Sequence, residues 1–334
     1  METRKLQMVG GGTYTVSIPK EWATDQSLEA GTPVHLYTHR DGSIVLRSAR
    51  KDGGDLEAAH VEVDGECPEL VSRSLHVVHA LGVEQVTLIH GTAFTDAQRR
   101  AVHEAIRGLV GASAAVAGDD EIVVRNLLDA SDVSVHQSVD QLGFVARSLH
   151  RGATEGFLAA DSEAHLTDRA AEARRLFDMV SRHLNRALVS LEEVDRLDTT
   201  RAELFDYFVA AQQLERVCEQ GVRVAELGER LASPVADATA EDLRSLSVAS
   251  RGVVEDATDA LLHGTDADAA HDALDRHEAT LARLRQFDEA LFESPDDTDA
   301  VAVARLADTL RGTAEAGGEI AEVAVRAALR DQCL

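Results

Sequence analysis

Gln213–Leu227, QLERVCEQGVRVAEL, returns 96 residues later as Thr309–Val323, TLRGTAEAGGEIAEV. Leu214 aligns with Leu310, Glu219 with Glu315, Gly221 with Gly317, Val224 with Ile320, Ala225 with Ala321 and Glu226 with Glu322. A stretch repeated at one fixed offset implies a duplicated supersecondary unit. In each copy the small residues stand at i and i+4, Gly221 with Ala225 and Gly317 with Ala321, on one face of a helix. That face predicts the close approach of another helix.

Working outward, everything from Ser131 onward carries helical periodicity. The first helix has a stripe of Val135, Val139, Leu142 and Leu149. The second runs through Ala170, Ala173, Phe177, Val180, Leu184 and Leu188. A Thr200/Glu203 capping box opens the third, and Ser233-Pro234 ends that unit. A fourth helix is predicted from a Thr239/Asp242 box to about His263. The fifth spans 267–293, and the sixth runs from Asp299 to about Arg330 after the break at Ser294-Pro295-Asp296-Asp297. Two three-helix units, 131–232 and 238–331, then form a six-helix all-α bundle.

Residues 58–128 alternate differently. Strands are predicted at 58–63 and 85–90, helices at 68–81 and 95–110, the latter behind a Thr95/Gln98 box. A hairpin over 112–127 turns at Gly118-Asp119-Asp120. The order βαβαββ predicts a small α+β domain, without a phosphate-binding glycine loop or a nucleophile–base set. It reads as a ligand-sensing or spacer module.

The first 50 residues predict an all-β unit: a strand over 4–18 interrupted at Gly10-Gly11-Gly12, and a helical turn from Lys20. A hairpin of Val34–Thr38 and Ile44–Arg47 follows around Asp41-Gly42. So short a unit must dimerise to complete a core.

The formal charge is −26, with 59 Asp/Glu against 33 Lys/Arg, and only Lys5, Lys20 and Lys51 are lysines. Such a lysine-poor acidic surface is expected of a protein working in concentrated intracellular salt; an ordinary acidic protein is the alternative. Residues 1–50 depart from it, with six Lys/Arg against five Asp/Glu. Any nucleic-acid contact belongs there. No apolar run reaches the length of a membrane span, and the N-terminus lacks the apolar segment of a signal peptide, so a cytoplasmic location is expected. Cys67, Cys218 and Cys333 have neither disulfide nor zinc spacing, and Cys218 reads as a buried small hydrophobe. The fourteen histidines show no HExxH and no i, i+4 pair on a predicted helix, and are expected mostly at the surface.

Two resemblances add to this reading. TYTVSIPKEWA (Thr13–Ala23), followed by GTPVHLYTHRDGSIVLR, resembles the AbrB/SpoVT/MazE swapped-hairpin domain. The resemblance implies two chains interleaved in one barrel. It implies DNA contacts at Arg4, Lys5 and Lys20, with Arg47 and Arg50 as weaker candidates; dimerisation or protein pairing alone is the other possibility. LFDMVSRHLNRAL (Leu176–Leu188), ELFDYFVAAQQLERVCEQGVRVAEL (Glu203–Leu227) and LRGTAEAGGEIAEVA (Leu310–Ala324) are similar to the PhoU family of phosphate-uptake regulators. That similarity implies E/DxxxD carboxylate pairs holding iron or another transition metal.

In this chain Glu215 and Glu219 keep the spacing. The matching positions on the second helix are Ala170 and Arg174, and on the sixth Arg311 and Glu315. The metal candidates are therefore Glu215, Glu219 and Glu315. The competing expectation is that arginines pair with the remaining acids and no cofactor is held. Together the resemblances imply a non-enzymatic, homodimeric, phosphate-responsive regulator acting on promoter DNA. The alternative is an adaptor that docks on a phosphate ABC-transporter ATPase or a sensor kinase.

Overall fold

The computed structural model describes residues 3–38, 42–48, 56–65, 67–116, 118–160, 166–231, 234–264, 267–293 and 300–333. Arg50, Asp41, Ser233, most of the 51–57 linker and the break at Ser294–Asp297 lie outside them. The chain divides into two compact units, 1–54 and 55–334.

In the first unit the break expected at Gly10-Gly11-Gly12, a hinge or a turn, is a tight hairpin turn. β1 (Gln7–Val9) pairs antiparallel with β2 (Thr13–Thr15). Gly10 and Gly11 adopt φ of 64° and 79° in the turn, a region open to glycine but strained for residues with a Cβ. Three glycines in a row therefore reverse the strand rather than merely bend it. Pro19 precedes α1 (Lys20–Asp25), and β3 (His35–Thr38) pairs with β4 (Ile44–Arg47). These hairpins are two separate sheets, so no barrel closes within one chain among the described residues. None of the unit's described residues is buried.

The second unit begins with an α+β layer: β5 (Ala58–Glu62), α2 (Pro68–Leu81), β6 (Gln85–Ile89), α3 (Asp96–Gly108), β7 (Ala112–Val116) and β8 (Glu121–Asn126). The sheet order is β5-β6-β8-β7. β5 and β6 run parallel, joined by the α2 crossover, and the other pairings are antiparallel. The Thr95/Gln98 capping box forms in both directions. Val63, Val71, Leu75, Leu88, Val102 and Ile122 centre a core of its own.

The helical part contains α4 (Val135–Ala159), α5 (Leu166–Val189), α6 (Leu191–Arg196), α7 (Arg201–Gly228), α8 (Asp237–His263), α9 (Asp268–Glu293) and α10 (Ala300–Cys333). The short α6, capped by Ser190, is an addition to the six helices expected. At α8 the Thr239/Asp242 box does not form: the helix starts two residues earlier, behind Ala236, with no side-chain cap. Asp237 then stands in the first turn, where a carboxylate suits the positive end of the helix dipole.

Helices α4, α7, α8 and α10 contact one another around the centre, with α5 against α4 and α7, and α9 against α8 and α10. The duplicated stretch explains this arrangement. Leu214 and Leu310, and Val224 and Ile320, are all fully buried, while Glu219, Glu315, Glu226 and Glu322 are exposed. A Cβ on Gly221 would meet Leu149 Cδ2 at 2.2 Å and His150 Cα at 3.4 Å; one on Gly317 would meet Val254 N at 2.8 Å. The third helix of each unit thus lies glycine-first against that unit's first helix, α7 on α4 and α10 on α8. One continuous apolar core joins both units. Gln220 on α7 accepts a 2.9 Å bond from Thr313 on α10, satisfying polar groups buried between the repeats.

The α+β layer is bonded to the bundle through the C-terminal end of α2. Arg182 Nη1 donates to the carbonyls of His79 and Val83, each at 3.0 Å, Asn185 to Ala80 O at 2.9 Å, and Arg186 Nη1 to Gly82 O at 2.9 Å. Carbonyls at a helix end have no partner within the helix; here α5 supplies the donors. Gly82, at φ 93°, leaves the room: a Cβ there would lie 2.4 Å from Arg186 Cγ.

Candidate functional sites

The basic residues of the first unit are placed by its hairpins and its short helix. Arg4 and Lys5 precede β1, Lys20 begins α1, and all three are exposed. Arg47, half-buried at the end of β4, carries its guanidinium 5.6 Å from the centre of the Tyr37 ring. Around them, Leu6, Met8, Tyr14, Val16, Leu36 and Ile44 are exposed by 56–69 %. In a folded unit that many uncovered apolar side chains mark an interaction surface.

The carboxylates singled out in the bundle do not converge. Glu215 is half-buried on α7, whereas Glu219 and Glu315 are exposed on α7 and α10. Among the described residues no three His, Cys, Asp or Glu side chains gather closely enough to hold a metal ion. Arg174 on α5 binds Glu215 Oε1 at 2.8 Å and Asp178 Oδ1 at 3.1 Å. Burial pushes the Glu215 carboxyl up; Arg174 pulls against this, and Glu219 and Asp178 add to it. Arg311 is bonded to Asp288 and, at 2.6 Å, to Asp308. The two arginines that replace carboxylates in the motif are thus each tied to acids. Guanidinium groups so placed answer the carboxylates' charge without a cation.

The histidines depart from expectation. His79, His90, His150 and His183 are buried, and of those described only His60, His103, His263 and His271 are exposed. Their rings are held by groups remote in sequence: His79 Nε2 lies 3.2 Å from Val110 O, His90 Nε2 3.0 Å from Gly65 O, and His183 Nδ1 2.7 Å from Glu193. Burial, followed by the charge of Arg182, lowers His79 to about 4. Burial and then Arg251 lower His150 to about 3. Burial alone would raise the Glu193 carboxyl, but hydrogen bonds from His183 and Arg186 more than offset it and hold it below its ordinary value. Cys218 is buried as expected, its thiol pushed up to about 12 by burial and then by Glu215 and Glu219.

Within the α+β layer, Leu75, His79, Val86 and Val124 line a cavity of about 20 Å³, room for one water. A larger concavity lies in the bundle, where α4, α8 and α9 bound a cleft of about 600 Å³ lined in part by Arg147, Arg151, Arg251 and Arg276. Sequence reasoning missed it, because these arginines are scattered over three helices and form no motif.

These features define a class: a nearly neutral, apolar-faced β-hairpin unit joined to an acidic body containing a duplicated three-helix bundle. Residues 7–54 match the family of MazE, described as antidote-toxin recognition MazE, bacterial antitoxin, so the first unit is a MazE-like domain. No curated protein matches the chain. Among solved structures, PhoU from Pseudomonas aeruginosa is similar at 18% identity and a TM-score of 0.40, over 59% of this chain and 96% of that one. No helix among the described residues is long and apolar enough to cross a membrane.

Proposed function

We propose that this protein is a homodimeric, non-enzymatic regulator of phosphate uptake. Its MazE-like head binds promoter DNA, and its helical body receives the phosphate-status signal. The observation that carries the reading is the head itself. It is free of the chain's acidic excess, it exposes Lys5 and Lys20, and the apolar side chains of its described strands find no cover within one chain. Interleaving with a second copy would bury those strands and double the basic residues on one surface, as a DNA-binding barrel requires. Phosphate contacts weaken as salt rises, so in concentrated salt the head must lean on base edges and DNA shape. The phosphate connection is supported by the sequence resemblance to PhoU and by the duplicated bundle that accompanies it. A signal received in the body changes DNA affinity only as far as it favours one conformation over another.

A mobility-shift assay of the full chain with its own upstream DNA at molar salt tests the reading. We expect a specific shift, with Lys20→Ala weakening binding and reducing the salt slope by about 1. Absence of any shift, or no effect of the substitution, removes the DNA claim. The alternative, an adaptor docked on a transporter ATPase or sensor kinase, predicts co-purification with that partner and no crosslinking to chromatin.

A further inference from the structure

In a chain with 59 acidic against 33 basic residues, four guanidinium groups around one concavity run against composition. The cleft lies between α4, which supplies Arg147 and Arg151, and α8, which supplies Arg251, with Arg276 reaching in from α9. Two of the four have acidic partners: Arg147 lies 2.9 Å from Glu255, and Arg276 2.9 Å from Asp256. Glu155, on the rim, is engaged by Arg244 at 3.4 Å. Arg151 and Arg251 form no ion pair with any described carboxylate, although Arg251 is only 9 % exposed. Burying a charge that no carboxylate pairs directly is costly: burial and then Arg151 lower Arg251, and the nearby Glu155 and Glu255 offset this only in part.

The fold nevertheless fixes Arg251 in place. Its Nη1 donates to Ser247 Oγ at 2.5 Å and lies 3.5 Å from His150 Nδ1. Ser247 donates to Thr154 at 3.1 Å, and Thr154 to His150 O at 2.8 Å, all buried. Arg276 reaches the cleft across Gly252, where a Cβ would come within 3.0 Å of its Nη1. A buried, braced arginine beside a second unpaired one is the arrangement that a multiply charged oxyanion completes, since each guanidinium presents a fork of donors matched to its oxygens. The volume of about 600 Å³ falls among small-molecule sites, and Phe144, 67 % exposed, offers an apolar face in the same cleft.

We propose that this cleft binds a phosphate dianion, either the free ion or the phosphoryl group of a small organic phosphate, with Arg151 and Arg251 as its ligands. The proposal deepens the sensing role suggested for the body by naming what it senses. Calorimetric titration of the full chain with inorganic phosphate, with AMP, and with adenosine as the control lacking a phosphoryl group tests it. We expect saturable binding of a phosphate-bearing probe and none of adenosine. Arg151→Ala, at an exposed position, should weaken binding about tenfold, the effect of losing one charge-assisted contact, and Arg251→Lys should weaken it comparably with the melting temperature preserved.

Equal affinity for phosphate and AMP assigns the free ion. Tighter AMP binding that Phe144→Ala abolishes assigns the organic ester. Failure of both phosphate-bearing probes to saturate at millimolar concentration overturns the proposal, as does unchanged affinity in both arginine variants. The mobility shift of the same preparations separates the two claims: an intact shift without phosphate binding defeats only the ligand site, and phosphate binding without a shift defeats only the DNA-binding role.

Discussion

The head and the body of this protein solve the burial problem differently. The body closes its own core: Leu142, Leu149, Leu214, Leu306 and Leu310 are all fully buried, and one apolar cluster runs through both three-helix units. The head closes nothing. Its strands alternate as well as any in the chain, yet both hairpins show their apolar side chains to solvent. A segment of some 50 residues buries too little surface to stand alone, whereas two packed helical layers bury enough within one chain. The comparison teaches that the body draws its stability from a core closed within one chain, while the head keeps an uncovered apolar surface, the one the proposed dimer and DNA contact would use.

Breaking that division is the sharpest test. Ile44→Asp, placing a charge on an apolar strand of the head, should abolish the dimer while leaving thermal melting of the body unchanged. Light scattering and calorimetry on the same sample read the two halves. A variant that stayed dimeric would move the interface to the body.

Within the body, Gly317→Ala should destabilise by about 2–3 kcal/mol, at the high end for overpacking, because its Cβ would press on the α8 backbone. Gly221→Ala should cost about 1 kcal/mol, because the nearest atom is the end of the Leu149 side chain, which can turn away. Denaturant unfolding separates them, and equal costs would show that the two glycine contacts yield alike.

Acid should also act on the body. His79 and His150, lowered to about 4 and about 3, are neutral when folded and take up protons near 6.5 when unfolded. Their stabilisation is therefore complete above pH 6.5 and is lost as pH falls towards the folded values. The slope is about 1.4 kcal/mol per pH unit for each histidine. His150→Leu should remove its share of that slope in unfolding measured from pH 7 to pH 5, and an unchanged slope would place the titration elsewhere.

The smallest effect is expected at Arg174→Met. Arg174 is half-exposed and bridges Glu215 and Asp178, so its loss should cost about 1 kcal/mol at neutral pH. If adding iron or manganese restored stability to this variant, the freed carboxylates would be able to take the cation that the arginine replaces.

Much of the body was legible in the sequence because its signals are local and periodic. The 96-residue echo located the packing helices, the Thr95 and Thr200 boxes formed as written, and Gly221 and Gly317 marked the close contacts. The Thr239 box did not form because the helix had already begun at Asp237, and the choice between hinge and turn at Gly10–Gly12 was settled only once the backbone was built. The buried histidines and the arginine cleft were invisible because their partners stand far off in the chain: Val110 for His79, Glu193 for His183, and α8 with α9 for Arg151.

By itself the sequence determined the three kinds of unit, the duplication and the contrast of a nearly neutral head with an acidic body. Periodicity, capping and charge are properties of neighbours along the chain. Only the tertiary structure decided that Arg174 answers Glu215, that α5 caps α2, and that Arg251 sits buried without a direct ion pair among the described residues. Those outcomes depend on which helix faces come together, and a guanidinium and a carboxylate forty residues apart carry no local mark of their meeting.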